Sequence, residues 1–78
     1  MIQVYSTTTC PWCDKVKDYL KQNGVNFVSH NVQENPDKAA EMIQKSGQRG
    51  VPVLDIEGNI IIGFDKSKID SLLNINVH

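Results

Sequence analysis

The sequence predicts an α/β fold: a four-stranded mixed sheet flanked by three helices, in the order β-α-β-α-β-β-α. Three observations predict it. Short alternating or continuous apolar runs take turns with segments whose apolar residues recur at helical spacing. Gly, Asn and Pro punctuate the boundaries between them. One pair of neighbouring runs is joined by a turn tight enough for an antiparallel hairpin, at Glu57-Gly58-Asn59.

Ile2–Ser6 reads as the first strand, with Ile2 and Val4 on one face and Gln3 and Tyr5 on the other. Thr7-Thr8-Thr9 is a polar loop. From Pro11 the period becomes helical, with Trp12, Val16, Tyr19 and Leu20 on one side, and Asn23-Gly24 ends the helix with a left-handed cap. Val25–Val32 reads as the second strand, Val25 and Phe27 sharing a face. Asn35 is a good N-cap for a second helix, and Pro36 fits its first position, where a missing N–H costs nothing. Ala39, Ala40, Met42 and Ile43 supply its apolar side, and Gly47 ends it. Val51–Ile56 and Ile60–Ile62 are the third and fourth strands. Gly63 breaks the pattern, Asp65 caps a last helix, and Ile69, Leu72 and Leu73 are expected to face inward. The first βαβ unit must be a right-handed parallel crossover, so the sheet is mixed.

A chain of 78 residues is expected to form one domain over 1–78, with a single core. It is 40% hydrophobic and 22% charged with a net charge of −1, which argues against a nucleic-acid partner. No apolar run approaches the ~18 residues of a membrane span. Met1-Ile2-Gln3-Val4-Tyr5 does not read as a signal peptide, so a cytoplasmic setting is expected; the chain is also expected to be a monomer.

The two cysteines carry the functional reading. Cys10 and Cys13 stand in Cys10-Pro11-Trp12-Cys13. A disulfide closing so small a loop removes little entropy from the unfolded chain, so it is a poor structural staple. Redox chemistry and metal binding remain. The pattern puts Cys10 at the N-cap of the first helix and Cys13 at its third position. Unpaired N–H groups and the helix dipole favour a thiolate there, below the ~8.5 of a free thiol. The thiolate is the species that attacks a disulfide. Cys13, expected to be more buried, suits the resolving step. Pro11 starts the helix and lacks an N–H that could compete for the sulfur. Trp12 is either an exposed apolar contact beside the reactive sulfur or a packing residue of the helix. Zinc would need a second ligand pair. His30, read as a solvent-face strand residue, and His78, read as a frayed end, do not supply one at ligand spacing, so no metal is expected.

Gly50-Val51-Pro52-Val53 is the second signal. A proline is tolerated at the first residue of a strand. Read together with the dithiol, Pro52 is expected to be cis, leaving the Val51 backbone free to pair with an extended peptide or a glutathione-like substrate.

Cys10–Cys13, Gly50-Val51-Pro52 and Gly63-Phe64-Asp65 together resemble a glutaredoxin over essentially the whole chain. The wording Ser46-Gly47-Gln48-Arg49-Gly50-Val51-Pro52-Val53 and Ile62-Gly63-Phe64-Asp65 looks most similar to small bacterial glutaredoxin-like proteins of the YruB type and to redoxins that serve ribonucleotide reductase. The resemblance implies a minimal thioredoxin fold, Cys10 as nucleophile, Cys13 as resolving thiol and Pro52 as the cis-proline. It implies no bound cofactor beyond the Cys10–Cys13 redox disulfide, and disulfide-bearing protein substrates. Substrate contacts are expected from Pro11, Trp12, Arg49, Val51, Pro52, Gly63, Phe64 and Asp65.

The resemblance leaves two electron donors open, glutathione or a thioredoxin-reductase-type enzyme. Glutathione-using members commonly have Lys three residues before the nucleophile, where this chain has Thr7, and an Asp-Asp pair where this chain has Asp65-Lys66. Gly63-Phe64 resembles the redoxins recharged by thioredoxin reductase. Arg49 fits either branch as a carboxylate anchor or reads as a solvated loop charge, and Asp65 also reads as a plain helix cap. An iron–sulfur or metal carrier is a third reading, against which Pro11 and Cys13 speak. Lys15, Lys17 and Lys21 read as solvating charges. Lys66 and Lys68 stand in the first turn of the last helix, where they oppose its dipole.

Overall fold

The computed structural model describes residues 2–73 and contains seven elements: β1 (Ile2–Ser6), α1 (Pro11–Gln22), β2 (Val28–Asn31), α2 (Pro36–Ser46), β3 (Val53–Ile56), β4 (Asn59–Ile62) and α3 (Lys66–Leu73). The four strands form one sheet in the order β2-β1-β3-β4. β1 pairs parallel with β2 and antiparallel with β3, with Tyr5 opposite His30 on one side and Val53 on the other. β3 and β4 form the expected hairpin. This is the expected element order and the thioredoxin fold. No helix among the described residues is long and apolar enough to cross a membrane.

Because β1 and β3 are central, alternate side chains must be covered on both faces. Val4, Leu54, Ile56 and Ile61 face Val16 and Leu20 of α1 and Ile69 of α3 in one buried cluster. Tyr5 and Val53 point to the opposite face and pack with Met42 of α2. The helices sit on opposite sides because the strands alternate.

Several boundaries differ from the sequence reading. β2 begins at Val28 rather than Val25: the Val25 N–H bonds back to the Leu20 carbonyl at 2.9 Å and closes the end of α1. Val25 and Phe27 still pack on the core, so their alternation reflects an irregular extended segment. β3 begins at Val53 rather than Val51, after a proline that has no N–H to donate to a ladder. Glu57 and Gly58 alone form the turn, both at positive φ (51° and 91°), and Asn59 already pairs with Ile56. Leu72 is 42% exposed and Ala40 is exposed, both against expectation. The short α3 buries Ile69 and leans Leu73 on the core, which leaves the Leu72 position outside that stripe.

A polar cluster fastens α2 to the sheet. Asp55 is buried on β3, and its carboxylate accepts from Lys45 Nζ at 2.6 Å and from the Gly58 N–H at 2.9 Å. Lys45 Nζ also donates to the Tyr5 hydroxyl at 2.8 Å, and that hydroxyl donates to the Glu41 carboxylate. The Lys45 hydrogen bond holds the Asp55 carboxyl below its usual range, against the desolvation that would raise it.

A carboxyl held low in the fold stabilises it above the unfolded value of about 3.9, and that contribution is lost as pH falls through the folded value. Lys45→Met should therefore lower stability at pH 7 by about 2 kcal/mol, the scale of a hydrogen bond to a charged group. Urea denaturation from pH 7 to pH 3 should also show a flatter acid limb for the variant. Equal midpoints for both proteins at pH 7 would remove the cluster from the stability of the fold.

Candidate active site

β1 runs through the middle of the sheet and delivers the chain to one end of it. The loop that follows is tied to the end of β2: the Thr8 N–H donates to Gln33 Oε1 at 3.2 Å, and Asn31 Nδ2 donates to Thr8 Oγ1 at 3.0 Å. Cys10 then takes the extended N-cap conformation (φ −142°, ψ 96°), and Pro11 occupies the first helical position. The Cys13 N–H donates to Cys10 Sγ at 3.1 Å. One of the unpaired N–H groups of the helix start is thus satisfied by sulfur.

Cys10 and Cys13 form a disulfide, with their Cα atoms 5.2 Å apart. Cys10 retains 9% of its surface and Cys13 none. Trp12, for which two readings were open, projects outward at 58% exposure, and Lys15 Nζ stands 4.4 Å above its ring centroid. Lys15 thus has a specific partner in addition to solvent.

The Val51–Pro52 peptide bond is cis. Pro52 is buried and Val51 half-buried, and the Pro52 carbonyl accepts from the Gly63 N–H at 2.8 Å, binding the proline loop to the end of β4. Trp12, Val51, Pro52, Gly63 and Phe64 together line an open, largely apolar pocket of about 290 Å³. The structure therefore brings together five of the sequence-predicted contact residues. Pro11 is exposed at the helix start and Arg49 is exposed in the loop before Val51; neither lines the pocket. Asp65 Oδ1 accepts from the Lys68 N–H at 3.2 Å, as a helix cap does.

Gln48 was not singled out by the sequence. Its carboxamide accepts from the Gly50 N–H at 2.5 Å and donates to the Gly50 carbonyl at 2.9 Å, so one side chain satisfies both backbone groups just ahead of Val51. Polar loop residues of this kind carry no periodic signal, and only the fold shows what they hold.

His30 is half-buried rather than on a free solvent face. It lies against the Tyr5 ring (centroids 5.2 Å apart) and its Nε2 pairs with Gln3 Oε1 at 2.9 Å. Burial pushes its pKa below the usual imidazole value. Among the described residues, no group of three or more His, Cys, Asp or Glu converges as a metal site. His78 lies outside the described residues.

Comparison with known proteins points in one direction. Residues 2–61 match the glutaredoxin family model. A glutaredoxin-like 8.6 kDa protein encoded in a rubredoxin operon of Clostridium pasteurianum is 52% identical over 73 residues, covering 94% of this chain and 97% of its own. Among solved structures, a mutant of the thioredoxin-like protein BC3987 superposes with a TM-score of 0.91 at 31% identity, covering 96% of each chain. NrdH-redoxin from Escherichia coli, described as glutaredoxin-like with a thioredoxin-like activity profile, gives 0.75 at 26% identity, covering 99% of this chain and 96% of that one.

The unequal exposure of the two cysteines, with Cys10 at the helix start, makes a direct prediction. After reduction, iodoacetamide should modify Cys10 about tenfold or more faster than Cys13, with an inflection below the ~8.5 of a free thiol. Peptide mapping by mass spectrometry over a pH series checks this, and equal labelling of both sites would contradict it.

Proposed function

This chain belongs to the glutaredoxin family of thiol–disulfide oxidoreductases, and on that premise we propose that it is a dithiol reductant of protein disulfides recharged by a thioredoxin-reductase-type enzyme. Cys10 is the nucleophile and Cys13 the resolving thiol. The Cys10 thiolate attacks one sulfur of the substrate disulfide, forms a mixed disulfide, and displaces the other substrate sulfur as a thiolate that takes up a proton. Cys13, deprotonated, then attacks Cys10 Sγ, releases the second substrate thiol and closes the Cys10–Cys13 disulfide. Two electrons pass to the substrate, and a reductase must return two. Cys10 is the cysteine that retains some surface, and its Sγ accepts the Cys13 N–H. A negative sulfur is favoured by that donor and by the helix start.

The observation that carries the choice of donor is the engagement of the two charged residues after the pocket. Asp65 caps α3, and Lys66 Nζ turns to Asp70 Oδ2 at 3.4 Å, so neither stands in the pocket lining. The pocket offers apolar Trp12, Val51, Pro52 and Phe64, a surface suited to a protein segment. The charged γ-glutamyl end of glutathione would find no acidic pair, and Thr7 supplies no cation where glutathione-using members commonly have Lys. The likeness to NrdH-redoxin supports the same direction. We take the chain to work as a monomer in the cytoplasm, where a reductase pool is available.

The test supplies the oxidised protein with NADPH and thioredoxin reductase, or with glutathione and glutathione reductase. Turnover should be at least tenfold faster in the first system, and fast turnover with glutathione alone would overturn the donor assignment. Cys10→Ser should abolish insulin reduction, while Cys13→Ser should accumulate mixed disulfides visible on non-reducing gels. Loss without trapping would reverse the assigned order of attack.

A further inference from the structure

Phe64 forms one wall of the pocket that Trp12, between the two cysteines in sequence, also lines, and its ring is held by residues that do not line that pocket. Its ring packs against Tyr19 of α1, with centroids 5.6 Å apart and planes tilted by 52°. The Tyr19 hydroxyl donates to Asp70 Oδ1 on α3, one turn from the Phe64 loop. Lys66 Nζ completes the group, 3.4 Å from Asp70 Oδ2 and 5.4 Å above the centroid of the Tyr19 ring. Four side chains from α1, the loop after β4 and α3 therefore meet in one group.

This arrangement explains a feature that local rules disfavour. A lysine in the first turn of a helix opposes the dipole, and Lys followed by Asp at i,i+4 is the weaker order for a helical ion pair. Lys66 gains a second partner, the Tyr19 face, that neither rule counts. Tyr19 in turn lies on α1, the helix whose start carries both sulfurs and Trp12. A displacement of Phe64 relative to Tyr19 changes the separation between the Trp12 and Phe64 sides of the pocket.

We infer that Tyr19, Asp70 and Lys66 are positioning residues for substrate recognition: they clamp Phe64 at a fixed distance from α1 and so set the width of the pocket that receives a protein disulfide. The clamp acts on binding and leaves the sulfur chemistry alone: the side-chain hydrogen bonds and ring contacts of its members run to one another and to Phe64. The hydrogen bond to Asp70 also raises the Tyr19 pKa. The inference rests on the proposed reading that this pocket is where the substrate docks.

The experiment measures kcat and KM for insulin disulfides and, separately, the second-order rate of Cys10 alkylation. Tyr19→Phe keeps the ring against Phe64 and removes only the hydroxyl; Asp70→Asn keeps an acceptor for the phenol and removes the charge that Lys66 pairs with. Phe64→Leu removes the clamped ring itself. The expected result is a three- to tenfold rise in KM for Tyr19→Phe and Asp70→Asn, with kcat and Cys10 alkylation within twofold of the parent for these two, and a larger rise in KM for Phe64→Leu. If Phe64→Leu raises KM and the two clamp variants do not, the pocket stands and the clamp is overturned. If Phe64→Leu and Trp12→Ala both leave KM unchanged, the docking reading itself fails and the clamp falls with it. A parallel fall in kcat and in Cys10 alkylation would show general disruption of α1 and would also reject the clamp. Tyr19→Leu, which removes hydroxyl and ring together, should raise KM at least as much as Tyr19→Phe. A smaller effect would count against the assignment even where Asp70→Asn weakens the fold.

Discussion

Everything at the active end of this protein depends on the bond from the Cys13 N–H to Cys10 Sγ. A helix cannot begin without leaving N–H groups that need acceptors, and an oxygen from Ser, Thr, Asp or Asn usually supplies one. Asn35 does this for α2, with Oδ1 accepting from the Lys38 N–H. In α1 the same duty falls to sulfur. The consequence runs both ways. The helix start is satisfied, and the sulfur that satisfies it sits where negative charge is favoured. The structural requirement and the chemical one are met by a single contact, so the position of Cys10 is fixed by the fold.

That contact is only as well placed as the strand that leads to it. β1 is hydrogen-bonded on both edges and covered on both faces, so its end has little freedom. The cover on the second face is partly polar. Burying Asp55 unpaired would be costly, and Lys45 offsets that cost while holding Tyr5 and with it Glu41. The same Tyr5 side chain packs with Met42 and lies against His30. β1 is thus clamped to α2 by hydrogen bonds and to α1 and α3 by apolar packing. A dithiol that must change partners at each turnover stands at the start of α1, just after a strand held on both edges and both faces.

How much of this was legible depends on whether a residue's job is local or long-range. Helix starts and stops were readable at Asn35-Pro36 and Gly47 because capping is decided by the capped residues themselves. Cys10 and Cys13 were readable for the same reason, their positions relative to α1 being set by Pro11. The first half of the expected second strand failed because Val25 and Phe27 alternate without pairing: a period of two records which side is buried and not whether a ladder forms. His30 was read as solvent-facing because nothing nearby in sequence announces Tyr5, whereas Lys15 is exposed as expected and its Trp12 partner is an i,i+3 neighbour on the same helix. Leu72 was expected inside because three apolar residues at helical spacing suggest a wider stripe than α3 buries. Within the candidate site, the dithiol and the proline loop were legible, while Gln48 and Tyr19 were not. Their partners, Gly50 and Asp70, are polar or featureless in any periodic pattern.

The contrast between Asp65 and Lys66 shows why the choice of electron donor could not be read from residue types alone. Both residues stand where a small charged ligand could be recognised, and each has two possible duties. Asp65 can cap a helix or hold an ammonium; Lys66 can meet a carboxylate in solution or one on its own helix. In this fold the Lys68 N–H reaches Asp65 and Asp70 reaches Lys66. Once both charges are engaged, the wall they would have lined is left to Phe64, and Phe64 is held from behind by Tyr19. An apolar pocket at Trp12, Val51, Pro52 and Phe64 therefore goes together with charges that α3 keeps on its own turns.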